Sequence, residues 1–137
     1  MILFFVCLGM ASEVFFTAMY AILVNKPIDG KPLLALAGMT YVWMALIYAL
    51  IPILGVLFYD KVKHFKLYWR LLLYVLIIYL VEFTSGAILQ VITGSCPWEY
   101  KEGCHILGLI RLDYFPAWVF FAWMVERLYV YVDKKVN

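Results

Sequence analysis

The chain has 137 residues, 67% of them hydrophobic and only 15% charged, with a formal net charge of +2. A soluble domain is about 45–50% apolar and about 25% charged, so this composition excludes disorder, a collagen-like repeat and a disulfide knot, and argues against a water-soluble globule. The small positive balance leaves no footprint for nucleic acid, which is not an expected partner. The class is all-α integral membrane, with length for about four spans of roughly 20–25 residues.

The first apolar run covers about 2–24 and ends in the polar turn Asn25-Lys26-Pro27-Ile28-Asp29-Gly30-Lys31-Pro32. The second covers about 33–59, followed by Asp60-Lys61-Val62-Lys63-His64-Phe65-Lys66. The third covers about 67–92. A Gly-, Cys- and Pro-containing stretch over 93–112 leads to the fourth run, about 113–132, and Asp133-Lys134-Lys135 follows. Backbone in lipid must satisfy its own hydrogen bonds, so each run is expected to be a helix. The expectation is one transmembrane domain over 1–137: a four-transmembrane-helix bundle with a structured outer loop between the third and fourth helices.

Lys and Arg near span ends set orientation. Lys61, Lys63, Lys66, Arg70, Lys134 and Lys135 lie on one side, against Lys26, Lys31, Lys101 and Arg111 on the other. Six against four favours a multi-pass protein with both termini cytoplasmic. The first run is read as a retained helix, because its start has no positive charge and Glu13 interrupts the stretch that a signal peptide would keep apolar. Cys96 and Cys104 fall on the outer loop, where an oxidising space permits a disulfide; two free thiols are the alternative. Cys96, Cys104 and His105 fit no usual zinc spacing, so neither a metal nor a cofactor is expected.

Three acids lie inside spans: Glu13, Glu82 and Glu126. A carboxylate at a helix centre costs about 2.5–3.5 kcal/mol to insert, so each is expected to face the bundle interior, a watery cavity or a partner. Helical spacing puts Tyr79, Glu82, Gly86 and Gln90 on one face of the third span. Gly9, Glu13, Phe16 and Tyr20 share a face of the first, with Thr17 beside them; Trp118, Ala122, Glu126 and Tyr129 share one on the fourth. The second span has no acid, and its expected inner face is Tyr41, Ala45, Tyr48, Pro52, Gly55 and Tyr59. Arg127 either snorkels to the inner surface or pairs with an acid on another helix; as a direct neighbour of Glu126 it cannot face it. Intramembrane acids mark ion or proton routes or catalysis by default, whereas the structural alternative is that they bind Tyr, Thr or Trp across the bundle as glue.

In the outer loop, Trp98, Glu99 and Tyr100 suit either the headgroup region or a lid over a glutamate-lined cavity. The apolar run ending in Arg111, Leu112, Asp113 and Tyr114 is short and fits a re-entrant piece, with Arg111 and Asp113 paired or touching lipid phosphate.

The order of Gly9-Met10-Ala11-Ser12-Glu13, Glu82-Phe83-Thr84-Ser85-Gly86, Cys96-Pro97-Trp98-Glu99-Tyr100, Gly108 to Tyr114, Pro116-Ala117-Trp118 and Val125-Glu126-Arg127 resembles the transmembrane protein 229 family of animals and its bacterial relatives, which carry the label ABC-transporter type IV membrane proteins. The likeness extends over essentially the whole chain. It implies a small multi-spanning membrane protein of loosely defined activity. Family members often bear an acid late in the second span; here Pro52-Ile53-Leu54-Gly55-Val56-Leu57-Phe58-Tyr59 has none, and Cys104 is not part of the family pattern.

No G-x-x-x-x-G-K-[ST] loop and no H-E-x-x-H or G-x-S-x-G motif is present, so a separate ATPase or other subunit would have to supply nucleotide hydrolysis. Three functions stay open. The first is transport or permeation through an oligomer, with the carboxylates binding a cation, proton or polar solute. The second is an intramembrane enzyme on a lipid or isoprenoid, with Glu82 or Glu13 as acid or base. The third is a membrane scaffold or assembly subunit.

Overall fold

The computed structural model describes residues 1–136. In chain order it holds helix α1 (Ile2–Leu23), a 3-10 turn (Leu33–Ala35), helix α2 (Trp43–Val62), helix α3 (Leu67–Thr93), strands β1 (His105–Ile106) and β2 (Ile110–Arg111), a second 3-10 turn (Leu112–Tyr114) and helix α4 (Phe115–Val136). The helices α1, α2 and α3 are long and apolar enough to cross a membrane. The expected fourth run forms helix α4, whose composition falls short of theirs, because Glu126 and Arg127 adjoin near its middle and its Trp and Tyr residues carry polar atoms. The chain divides into two compact units, Met1–Leu54 and Gly55–Asn137, with the boundary inside α2.

In the first unit, α1 buries Phe5, Gly9, Ala18 and Ala21, mostly small residues that permit close approach. It stops because Asn25 takes the left-handed conformation (φ 53°), with Lys26 N–H donating to the Ala21 carbonyl (3.0 Å) and Asn25 N–H to that of Ile22 (3.2 Å). These are the two bonds of a Schellman cap, and Pro27 then forbids continuation.

The second helix starts about ten residues later than the hydrophobic run suggests. Residues 33–35 form only a 3-10 turn, Leu36 is left-handed (φ 51°), and 37–42 is non-helical. The cause is a strap across α1. Gly38 lies so close to the Val14 carbonyl that any side chain would overlap it. Met39 N–H donates to Thr17 Oγ1 at 2.7 Å, and the Met39 carbonyl lies 3.1 Å from the same oxygen. Thr17 thus satisfies backbone groups that a helix would otherwise pair. From Trp43, α2 runs unbroken through the buried Pro52, whose missing N–H leaves the Tyr48 carbonyl without its helical donor.

In the second unit, α3 ends at Gly94 (φ 83°), whose N–H donates to the Gln90 carbonyl at 3.0 Å. The expected outer loop holds an antiparallel hairpin with His105 opposite Arg111 and Ile106 opposite Ile110. Its turn places Leu107 (φ 52°) and Gly108 (φ 71°) in the left-handed region and closes with Leu109 N–H on the Ile106 carbonyl (3.0 Å), the signature of a I′ turn. Helix α4 packs on α3, and its Tyr129 lies against Gly55 and 5.7 Å from the Tyr59 ring.

Candidate functional site

The three acids Glu13, Glu82 and Glu126 have three different settings. Glu13 belongs to the first unit. Its Oε2 accepts from Thr40 Oγ1 at 2.8 Å and from the Tyr48 hydroxyl at 3.1 Å. The strap before α2 supplies Thr40, and α2 supplies the buried Tyr48. Gly9, one helical turn before Glu13, seats the Tyr48 ring so closely that a side chain there would overlap it.

Glu126 is the only buried charged residue among those described. Arg70, in the first turn of α3, grips it with two parallel hydrogen bonds, Nε to Oε2 at 2.9 Å and Nη2 to Oε1 at 2.7 Å. Tyr74, one turn further along α3, interacts electrostatically with the same carboxylate. Arg70 Nη1 donates to the Phe65 carbonyl at 2.9 Å, tying the pair to the α2–α3 turn. A fork-on-fork pair of this kind is strong and directional. It neutralises a buried charge that would be costly alone.

Glu82 sits in the middle of α3. Its Oε1 accepts from the Tyr100 hydroxyl at 2.7 Å, so the loop after α3 folds back onto it. One turn further, a Cβ on Gly86 would meet Leu109 at 3.1 Å, Cys96 Sγ at 3.3 Å and Trp98 at 3.4 Å, so the loop packs tightly on the glycine and would have to give by a few tenths of an ångström for a side chain. Trp98 Nε1 donates to the Leu109 carbonyl at 3.2 Å, and Tyr100 N–H to that of Gly108 at 2.8 Å. One turn before Glu82, the Tyr79 hydroxyl lies 3.4 and 3.3 Å from the Arg111 and Leu112 carbonyls.

Behind Tyr100 stands a second polar group. Arg111 clamps Asp113, with Nη2 to Oδ2 at 2.7 Å and Nε 3.0 Å from both oxygens. Its Nη1 donates to the Tyr114 hydroxyl at 2.9 Å. The Tyr114 ring meets Tyr100 edge-on at 5.9 Å. The guanidinium nests on Gly103 (φ 80°), where a side chain would collide with it. The Arg111 guanidinium beside Asp113 holds its carboxyl below the usual carboxylate range.

The residues expected from sequence therefore separate. Glu82, Tyr79, Trp98, Tyr100, Arg111 and Asp113 gather along the second half of α3. Glu126 lies elsewhere: its partner Arg70 is twelve residues before Glu82, about 18 Å along the helix axis. The remaining candidates fall outside that group. Arg127 is exposed, and Arg70 rather than Arg127 is the arginine that pairs with an acid on another helix. Gln90 is exposed because the loop covers α3 on the Glu82–Gly86 side and leaves the last turn open. Cys96 and Cys104 are both free thiols: Cys96 is buried against Gly86 and Cys104 is exposed. Burial pushes the Cys96 thiol pKa up. Glu99 is exposed and lies 3.7 Å from Lys101. The Trp118 indole N–H is buried with no hydrogen-bond partner among the described residues. No group of three or more His, Cys, Asp or Glu able to hold a metal occurs among them.

Sequence reasoning did not single out Arg70, Thr40 or Tyr74. In sequence Arg70 reads as one of the orientation charges; its position past two aromatic residues inside the third run is the available signal. No protein-family model matches the chain, and no solved structure matches it.

Proposed function

We propose that this chain is a small polytopic membrane protein of a transport or permeation assembly, with Glu82 as the carboxylate that binds a cation, a proton or a polar solute. The observation that carries the reading is the Tyr100–Glu82 hydrogen bond. It joins an acid at the centre of an apolar helix to a loop that follows that helix. A loop so attached acts as a cover: with the phenol in place the acid is shielded, and with it displaced the acid is free to take a ligand.

The other acids have structural work. Arg70 neutralises Glu126 and so lets α4 cross beside α3 despite its composition. A fourth crossing puts both termini on the cytoplasmic side with the larger cluster of positive charges. Arg127, exposed near the same level, snorkels to the headgroups. An intramembrane enzyme using two converging carboxylates is disfavoured within the second unit, since Glu82 and Glu126 stand about 18 Å apart along α3. A scaffold role is favoured by one observation: Glu13 and Glu126 are both held by partners in their own unit.

Membership of the transmembrane protein 229 family is part of this proposal. Its two most specific stretches, Glu82 to Gly86 and Cys96 to Tyr100, are the ones that pack on each other through the Tyr100–Glu82 bond and the Gly86 contacts. Four helices make a thin pore wall, so the working unit is a homo-oligomer or includes another subunit; any nucleotide hydrolysis belongs to a separate ATPase.

The test is ion flux in proteoliposomes, measured with protons and with a series of monovalent cations. Glu82→Gln should insert normally and lower flux at least about tenfold, as expected when an intramembrane ligand is removed. Arg127→Ala should retain flux. Equal flux in the wild type and in Glu82→Gln would refute the assignment and favour the scaffold.

A further inference from the structure

We infer that the loop over 94–114 re-enters the membrane and forms one wall of a water-filled entrance that reaches Glu82. The placement comes from α3. Leu72, Leu76, Leu80, Ile88 and Val91 are exposed and make one apolar stripe that runs past Glu82 almost to the end of the helix. Both halves of α3 are therefore built to face lipid. Thr84, the polar residue within the stripe, turns its hydroxyl back to the Leu80 carbonyl at 2.7 Å.

Helix α4 covers only the first half. Glu126 pins it at Arg70, and from there to its start at Phe115 it rises about 17 Å, which brings it level with the region of Tyr79. Beyond that point the neighbour of α3 is not a helix. Tyr79 meets the Arg111 and Leu112 carbonyls, Glu82 meets Tyr100, and Gly86 meets Leu109, Cys96 and Trp98. A non-helical segment thus lies beside the middle of a spanning helix.

The outer side of that segment is mixed. Glu99, Lys101, Glu102, Cys104 and His105 are exposed, and so are Ile106 and Leu107 at the hairpin turn. A two-stranded hairpin also leaves open backbone edges. Hydrocarbon cannot satisfy those groups, and irregular backbone at membrane depth persists only where it is buried in protein or lines water. Water is the occupant that suits five exposed polar side chains of mixed charge. The entrance rests on the transport reading only for what passes through it, a small hydrophilic cation; its water content stands on the placement alone.

Cys104 is a native probe. Its carbonyl accepts from Leu112 N–H at 2.7 Å, so it belongs to the part of the loop beside Tyr79. In open membrane fragments holding the Cys7→Ala variant, a charged thiol reagent, read residue by residue in peptide mass spectra, should label Cys104 rapidly. It should do so at least about tenfold faster than it labels Ile88→Cys, whose position faces lipid. Fast labelling at both positions would mean that the second half of α3 lies outside the membrane, and would overturn the inference. Slow labelling at both would overturn it too; a lipid-soluble maleimide then tells a lipid-facing loop, which it labels, from one covered by a second copy, which it does not. Flux retained by Glu82→Gln with rapid Cys104 labelling would remove the ligand role and leave the entrance standing.

Discussion

The Tyr100 hydroxyl donates to Glu82 Oε1 across 2.7 Å, joining the loop after α3 to the acid at the centre of that helix. Tyr100→Phe removes the donor and keeps the ring that meets Tyr114. The loss should lower stability by about 1–2 kcal/mol, in the range of single hydrogen bonds in proteins and bilayers. If Tyr100 covers Glu82, the same variant should raise ion flux rather than lower it. Unfolding in detergent and flux in proteoliposomes check the two halves separately.

Arg70 holds the buried Glu126 with two part-buried hydrogen bonds, so removing Arg70 strands a buried charge. Arg70→Met and Glu126→Leu should each be strongly destabilising, Arg70→Met by about 3–5 kcal/mol, whereas the double variant Arg70→Met/Glu126→Leu should cost far less than their sum. A double-mutant cycle by reversible unfolding measures the coupling. Arg127→Ala, by contrast, should fall within about 0.5 kcal/mol of the wild type, as exposed substitutions do.

Asp113 gives the join between the hairpin and α4 an acid sensitivity. Its folded pKa lies below the ordinary 3.8 because Arg111 holds the ionised form. A group of this kind stabilises the fold fully above its unfolded pKa and loses that contribution as pH falls through the folded value. Amide exchange in the hairpin should therefore accelerate below about pH 4 in the wild type. In Asp113→Asn it should be faster at neutral pH and should lack that acid-side change.

The two loop cysteines should differ in reactivity. Cys104 is exposed, and Cys96 is buried with its thiol pKa raised, so its thiolate is scarce. In detergent at pH 8, alkylation should be at least about tenfold faster at Cys104, and non-reducing peptide maps should contain no Cys96–Cys104 bridge.

Gly9 admits the Tyr48 ring that bonds Glu13. Gly9→Val forces that ring away and should destabilise the protein by about 1–3 kcal/mol, the usual range for overpacking. Ala11→Val, on an exposed position of α1, is the matched control.

The sequence exposed the helices well where one physical force decides them. The third run, expected over 67–92, forms α3 over Leu67–Thr93, because a long apolar stretch bounded by Lys66 and Gly94 has one way to satisfy its backbone in lipid. The second run misled because Leu33 to Val42 are apolar enough to continue a helix, yet Thr17 and Gly38 offer a tertiary alternative that periodicity does not register. Glu13, Glu82 and Glu126 stood out as costly charges, but their partners did not. Arg70 looks in sequence like any interfacial arginine, and Thr40 like part of a helix; only the fold brings them to an acid. The inner faces of α2 and α4 were legible in the spacing of Tyr48 and Pro52, and of Ala122, Glu126 and Tyr129. The hairpin was not, because its turn puts Leu107 at positive φ, a place where sequence signals favour Asn, Asp or Gly.

The most direct measurement concerns Glu82 itself. Purified protein in lipid is treated with a lipophilic carbodiimide, which modifies carboxyl groups within the bilayer, and each adduct is located by mass spectrometry across a series of monovalent chloride concentrations and pH values. A ligand-binding Glu82 should be modified, protected progressively by the cation or pH that supports flux, and modified far more than the Arg70-paired Glu126. Modification of Glu82 that no cation and no pH change reduces would contradict its role as the binding carboxylate.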